Sequence, residues 1–137
     1  MRNALITEFE KKATKDIKPL PDFRPGDTIR VHYRIEEGTD KKKFRIQPFE
    51  GVVIRYKKGT ADASFLVRKI GANGIGVERV FSAISPNISK VDILARGIVR
   101  RSRLFYLRKL SGKRARIKSR FVGKKKASKE STAASAE

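Results

Sequence analysis

The chain has 137 residues, no cysteine, a single histidine, and a formal net charge of +20 from 34 basic and 14 acidic side chains. That length gives one domain with a core of its own, and the missing cysteine excludes disulfide frameworks, thiolate zinc sites and cysteine nucleophiles. So large a cationic excess calls for a polyanionic partner, with nucleic acid the first candidate and an anionic membrane surface the second.

Residues 1–12 lack the apolar h-region of a secretory signal, and apolar runs such as 51–54 are far too short to cross a bilayer. A soluble, cytoplasmic protein is expected. Asn3 is placed to cap a short helix with Leu5, Ile6 and Phe9 on one face and Glu8, Glu10, Lys11 and Lys12 towards water. Pro19 and Pro21 end that helical path, so residues 1–21 read as helix and linker.

Arg24-Pro25-Gly26-Asp27 is turn chemistry, and beyond it Ile29, Val31, Tyr33 and Ile35 alternate with Arg30, His32 and Arg34, the period of a half-buried strand. Residues 36–43 hold no apolar side chain and form an exposed, mobile hairpin tip. A return strand begins near Phe44 and Ile46. Pro48 excludes a central ladder position and marks an edge or bulge, and Gly51 marks a bend before a separate strand carrying Val52, Ile54 and Tyr56. Further strands are predicted around Phe65 to Arg68, Ile75 to Val80 and Val91 to Leu94, with turns at 57–62, 71–76 and 85–87. Five or six short strands at this spacing predict a mainly β protein, a small antiparallel barrel or sandwich, over residues 22–96.

Past Gly97 the rhythm changes. Leu104, Leu107 and Leu110 recur at threes, the pattern of a short amphipathic helix that Ser111-Gly112 should stop. Fifteen Lys and Arg and no Asp or Glu lie between Asp92 and Glu130, which leaves only 19 basic against 14 acidic residues elsewhere. Solvated faces normally mix signs, so this run reads as a nucleic-acid-binding extension over 97–126, ordered by its partner. Leu104, Phe105, Tyr106 and Phe121 are interleaved to pack on the barrel or on a base. The arginines suit forked phosphate contacts, Lys124-Lys125-Lys126 a looser tether, and residues 127–137 a disordered tail.

Catalytic constellations are missing. His32 sits on the polar side of its strand, and Glu50, Asp62 and Glu78 are scattered acids suited to surface ion pairs. The 71–76 glycines are spaced GxxGxG, unlike the dinucleotide fingerprint, and Gly112-Lys113-Arg114 lacks the other elements of a P-loop. No catalytic residue, metal or cofactor is expected.

In several ordered segments the chain closely resembles the bacterial-type large-subunit (50S) ribosomal proteins of family number nineteen. They are residues 23–28 (FRPGDT), 45–51 (RIQPFEG), 65–70 (FLVRKI), 76–81 (GVERVF), Ser85-Pro86, Arg96-Gly97, Val99-Arg100-Arg101, 104–108 (LFYLR), Gly112-Lys113 and Ala115-Arg116-Ile117. The resemblance implies an SH3-like antiparallel β-barrel with a short N-terminal helix and a basic C-terminal extension, bound to large-subunit rRNA on a cytoplasmic ribosome. It further implies a place at the face meeting the small subunit, contributing to intersubunit bridges with small-subunit rRNA, beside the large-subunit proteins numbered three and fourteen. No membrane or small-molecule substrate is implied.

Carried onto this sequence and its basic run, the RNA-contacting set is Arg45, Gln47, Arg68, Lys69 and Arg79 on the barrel. On the extension it is Arg96, Arg100, Arg101, Arg103, Tyr106, Arg108, Lys109, Lys113, Arg114, Arg116, Lys118 and Arg120. Arg79 could equally pair with Glu78 or Glu50. The chain departs from the family at Phe105, where Tyr is frequent, at a slightly long 36–43 tip, and in the tail beyond Phe121. The alternatives are a nucleoid-type DNA-binding protein and, more distantly, an RNA-modifying enzyme.

Overall fold

The computed structural model describes residues 3–14, 19–37 and 44–120. Asn3 accepts the Leu5 amide at 3.1 Å and starts helix α1, Ala4–Thr14, whose Leu5, Ile6 and Phe9 are exposed. Six strands follow: β1 Thr28–Glu36, β2 Phe44–Lys57, β3 Ser64–Ile70, β4 Gly76–Ser82, β5 Ile88–Gly97 and β6 Ser119–Arg120. They form one antiparallel sheet in the order β4-β3-β2-β1-β5-β6. The sheet curls: two strands, β3 and β2, lie between β4 and β1 in that order, yet the ring centroids of Tyr33 of β1 and Phe81 of β4 are 6.0 Å apart. This is the mainly β form anticipated from the strand spacing, and its curl fits the SH3-like barrel that the family resemblance implies.

Inside the curl, Ile29 and Val31 of β1, Val53 of β2, Phe65 and Val67 of β3, Phe81 of β4 and Val91 of β5 close a core with Phe23. Phe65 stacks on Phe81 at 5.4 Å and meets Phe23 edge-on at 5.1 Å, the offset and T-shaped geometries aromatic quadrupoles favour. The strict alternation of β1 is what points Ile29 and Val31 inward.

Two expectations are corrected here. Phe44 to Tyr56 is one continuous strand, not two, and Pro48 lies inside it opposite His32. The ladder with β3 starts only at Val52, so the Phe44–Gly51 half of β2 is an edge paired with β1 alone, the kind of position Pro48 marked. Gly51 is required because a Cβ there would run into the Arg68 carbonyl. The last core strand is also longer than expected, running from Ile88 to Gly97.

The extension is the second correction. Residues 98–120 pack on the outer face of the sheet as a strap. The short helix read from Leu104 to Leu110 is present, as a 3-10 helix, Phe105–Lys109. Leu104 and Leu107 are buried against Ile54, with Val52, Leu66, Val99, Phe105 and Ile117 around them. Gly112, at φ +58°, opens a second short turn, Gly112–Ala115, instead of terminating the first. The chain then returns as β6 beside the end of β5. Predicted features on residues 15–18, 38–43 and 121–137, including the hairpin tip, Phe121, the lysine triplet and the tail, lie outside the described residues.

Docking of the strap turns on a bulge. Strand alternation puts Val53 in the inner core and Ile54 on the outer face, and the register slip of β2 against β3 between Val53 and Arg55 leaves Ile54 without a β3 partner. The Ile54 carbonyl accepts the Leu104 amide at 3.0 Å. Hydrogen exchange in the free protein should therefore show protection at Leu104 and at Ile98, whose amide donates to Lys118 at 2.8 Å. Leu104→Ala should cost about 3 kcal/mol in urea unfolding, the usual range for emptying a fully buried leucine site, and should abolish that protection.

Candidate nucleic-acid interface

The strap leaves and rejoins the sheet at one junction. Asp27, 5% exposed, accepts the Arg24 amide with one carboxylate oxygen and the Gly97 amide with the other, both at 2.9 Å. Its own carbonyl accepts the Val53 amide, and Gly26, at φ +98°, donates to the Val53 carbonyl. A side chain on Gly97 would strike the Gly26 carbonyl, so this crossing admits only glycine. The turn thereby fastens β2 and the root of the strap together.

Cations in the described part fall into two classes. The first is neutralised inside the molecule: Arg30 by Glu50, Arg45 by Glu37, Lys57 by Asp62 and Lys90 by Asp92. Glu78, 20% exposed, holds both Arg68 at 2.9 Å and Arg108 through a forked pair at 2.8 to 3.2 Å, tying the strap to β3 and β4. The Arg108 hydrogen bonds, opposed by burial and assisted by Arg68, draw the Glu78 carboxyl below its ordinary pKa, while Glu78 raises that of Arg108. Asp92 is lowered chiefly by Lys90, then by His32, whose Nε2 lies 3.0 Å from its carboxylate. His32 is thus partnered by an acid and not free for a phosphate.

The second class has no carboxylate partner among the described residues. Arg79 pairs with neither Glu78 nor Glu50 and lies over the Tyr33 ring at 4.1 Å, and Arg101 lies over Tyr106 at 5.6 Å. Lys69 is exposed on the barrel, as is the uncharged Gln47. Arg96, Arg100, Arg103, Lys109, Lys113, Arg114, Arg116, Lys118 and Arg120 are exposed along the strap and its two roots. Arg55 and Arg103 are bridge partners, as are Arg96 and Arg120, an arrangement of like charges that disfavours the free fold.

Two residues of the candidate interface escape a reading by charge run. Arg24 lies far from the extension in sequence but shares a surface cleft with Arg96, Arg100, Arg101 and Arg120. Glu78 is the acid that fixes Arg68 and Arg108, and only the three-dimensional return of the strap reveals it.

The chain is similar to known proteins along most of its length. A family model described as ribosomal protein L19 matches residues 4–120. Proteins named large ribosomal subunit protein bL19 include one from Desulfotalea psychrophila, 58% identical over 100 residues, covering 73% of this chain and 82% of the relative. Another, from Dehalococcoides mccartyi, is 59% identical over 105 residues, covering 77% of each chain. A third, from Campylobacter lari, is 50% identical over 118 residues, covering 86% of this chain and 97% of the relative.

Because the Glu78 pKa is depressed in the fold, its contribution is complete above the pKa of an unfolded glutamate and is lost as pH falls through the lowered folded value. Glu78→Gln should cost about 1 kcal/mol at neutral pH, as loss of a partly exposed charge-assisted network does. It should also flatten the acid limb of the stability profile measured by denaturant titration from pH 7 to pH 3. From these matches, the chain belongs to the ribosomal protein L19 family.

Proposed function

We propose that the chain binds large-subunit rRNA through its strap and the adjoining barrel edge, near the face that meets the small subunit, and contributes there to intersubunit bridges. Family membership makes it a structural constituent of the large ribosomal subunit, not an enzyme. The single observation carrying the RNA reading is the set of exposed, unpaired arginines and lysines on a strap that hydrophobic burial holds in place. Among the described residues, the acids that form ion pairs hold other cations, Arg108 included, and none holds the remaining arginines and lysines exposed along the strap, so that positive charge is directed at an external polyanion.

The RNA-contacting set in this reading comprises Gln47, Lys69 and Arg79 on the barrel, with Arg96, Arg100, Arg101, Arg103, Tyr106, Lys109, Lys113, Arg114, Arg116, Lys118 and Arg120. Arg45, Arg68 and Arg108 keep a place in it through the guanidinium edges their acids leave free. Contact with small-subunit rRNA, and with the large-subunit proteins numbered three and fourteen, belongs to the same proposal, as does residence on ribosomes in the cytoplasm. Among the described residues no helix is long and apolar enough to cross a membrane.

Binding to protein-free large-subunit rRNA and to duplex DNA of equal length, at matched salt, separates this reading from a nucleoid-type DNA-binding protein. Preference for the folded rRNA is expected, and equal affinity overturns it. Lys113→Ala and Arg114→Ala should each reduce the magnitude of the salt slope by about one unit, the value of one released phosphate counterion.

A further inference from the structure

Where the strap departs from the sheet, a cleft of about 560 Å³ opens between the Arg24-Pro25-Gly26-Asp27 turn, the ends of β5 and β6, and residues 98–102. Five arginines line it: Arg24, Arg96, Arg100, Arg101 and Arg120. Two acids share the lining, Asp22 and Asp27, and Asp27 has both carboxylate oxygens occupied by backbone N–H groups. No ion pair joins any of the five arginines to a described carboxylate.

We propose that this cleft is a clamp for the RNA backbone, in which Arg24 of the barrel turn joins the four strap-root arginines in holding successive phosphodiester groups. The proposal rests on the rRNA-binding reading above and adds to it a composite site and a residue, Arg24, outside the basic run.

Three features of the cleft carry it. Arg96 and Arg120 are directly paired across β5 and β6, so backbone register forces two like charges together in the free protein, and an anion between them relieves the repulsion. Arg24 is anchored at its backbone by Asp27, and the Gly97 amide is held by the same carboxylate, so both walls hang from one buried group. The guanidinium is the side chain that forks onto two phosphate oxygens, and here it comes from three separate segments, as gripping a bent strand from several sides requires. A neighbouring acidic protein segment would also meet these charges. Five arginines, with only Pro25, Ile98 and Val99 as apolar side chains among them, favour the dense charge of a phosphate backbone, and the experiment decides.

The test uses the full chain and protein-free large-subunit rRNA, with affinity measured across a salt series. Arg24→Gln and Arg120→Gln should each lower the magnitude of the salt slope by about one unit, while Lys57→Gln, which loses a cation outside the cleft, keeps the wild-type slope. In thermal melts of the free protein at low salt, Arg120→Gln should hold or raise the midpoint, because it removes the repulsion with Arg96, even as RNA affinity falls. Wild-type slopes in both cleft variants overturn the clamp, and so does a lower melting midpoint in Arg120→Gln, which would make that arginine a structural residue. If Lys113→Ala and Arg114→Ala reduce the slope but the cleft variants do not, the clamp alone fails. If the wild-type chain shows no preference for rRNA, the reading beneath it fails first.

Discussion

The carboxylate of Asp27 is the constraint on which the arrangement depends. A buried acid is costly unless its oxygens are satisfied, and here the partners are two backbone amides from opposite ends of the barrel sequence, Arg24 and Gly97. No side chain at either partner position is needed for the bonds themselves. What the crossing demands is close approach, so Gly97 carries no side chain against the Gly26 carbonyl, while Gly26 takes φ +98° with the Val99 side chain packed against it. The turn before the first strand and the exit from the fifth become one structural element, and the direction in which the strap leaves follows from it.

A second constraint acts through β2. Alternation gives Val53 to the enclosed core and Ile54 to the outer cluster with Leu104 and Leu107, and the bulge after Val53 leaves Ile54 without a partner on β3. A strand in regular register would have continued its alternation without freeing the Ile54 carbonyl for the Leu104 amide. The strap is therefore held by burial and one backbone bond where it matters most, and by Glu78 farther along.

Much of the barrel was legible because period-two alternation records which face is buried: Ile29, Val31, Phe65 and Val67 are core residues for the reason their spacing announced. Pro48 marked an edge, and it lies in the half of β2 that has a neighbour on one side only, whereas nothing in the sequence reveals that the same strand becomes central from Val52 onward. Leu104, Leu107 and Leu110 were visible as a recurrence at threes, which fits three residues per turn as well as an α-helical stripe. The structure chose the former, and only Leu104 and Leu107 are buried. Asp27 looked like a turn residue because its second partner, Gly97, is seventy positions away. The basic run was plain from counting, whereas its division into cations held by Glu78 and cations left unpaired needed the fold.

That division explains how a strap so rich in positive charge can dock at all. Were its position maintained by ion pairs, acids would have to stand beside it, and those acids would compete with phosphate for the same guanidinium groups. Glu78 does this for Arg68 and Arg108 at one place. Elsewhere the holding force is apolar: Leu104, Leu107 and Ile54 are 0 to 6% exposed, and burial of aliphatic surface does not depend on salt or on the charge of a partner. Arg55 opposite Arg103 and Arg96 opposite Arg120 are then tolerable, since screening by salt weakens exposed like-charge pairs while the backbone bridges and the leucines hold register. Separating the force that positions the strap from the charges it displays leaves those charges unneutralised until a polyanion arrives.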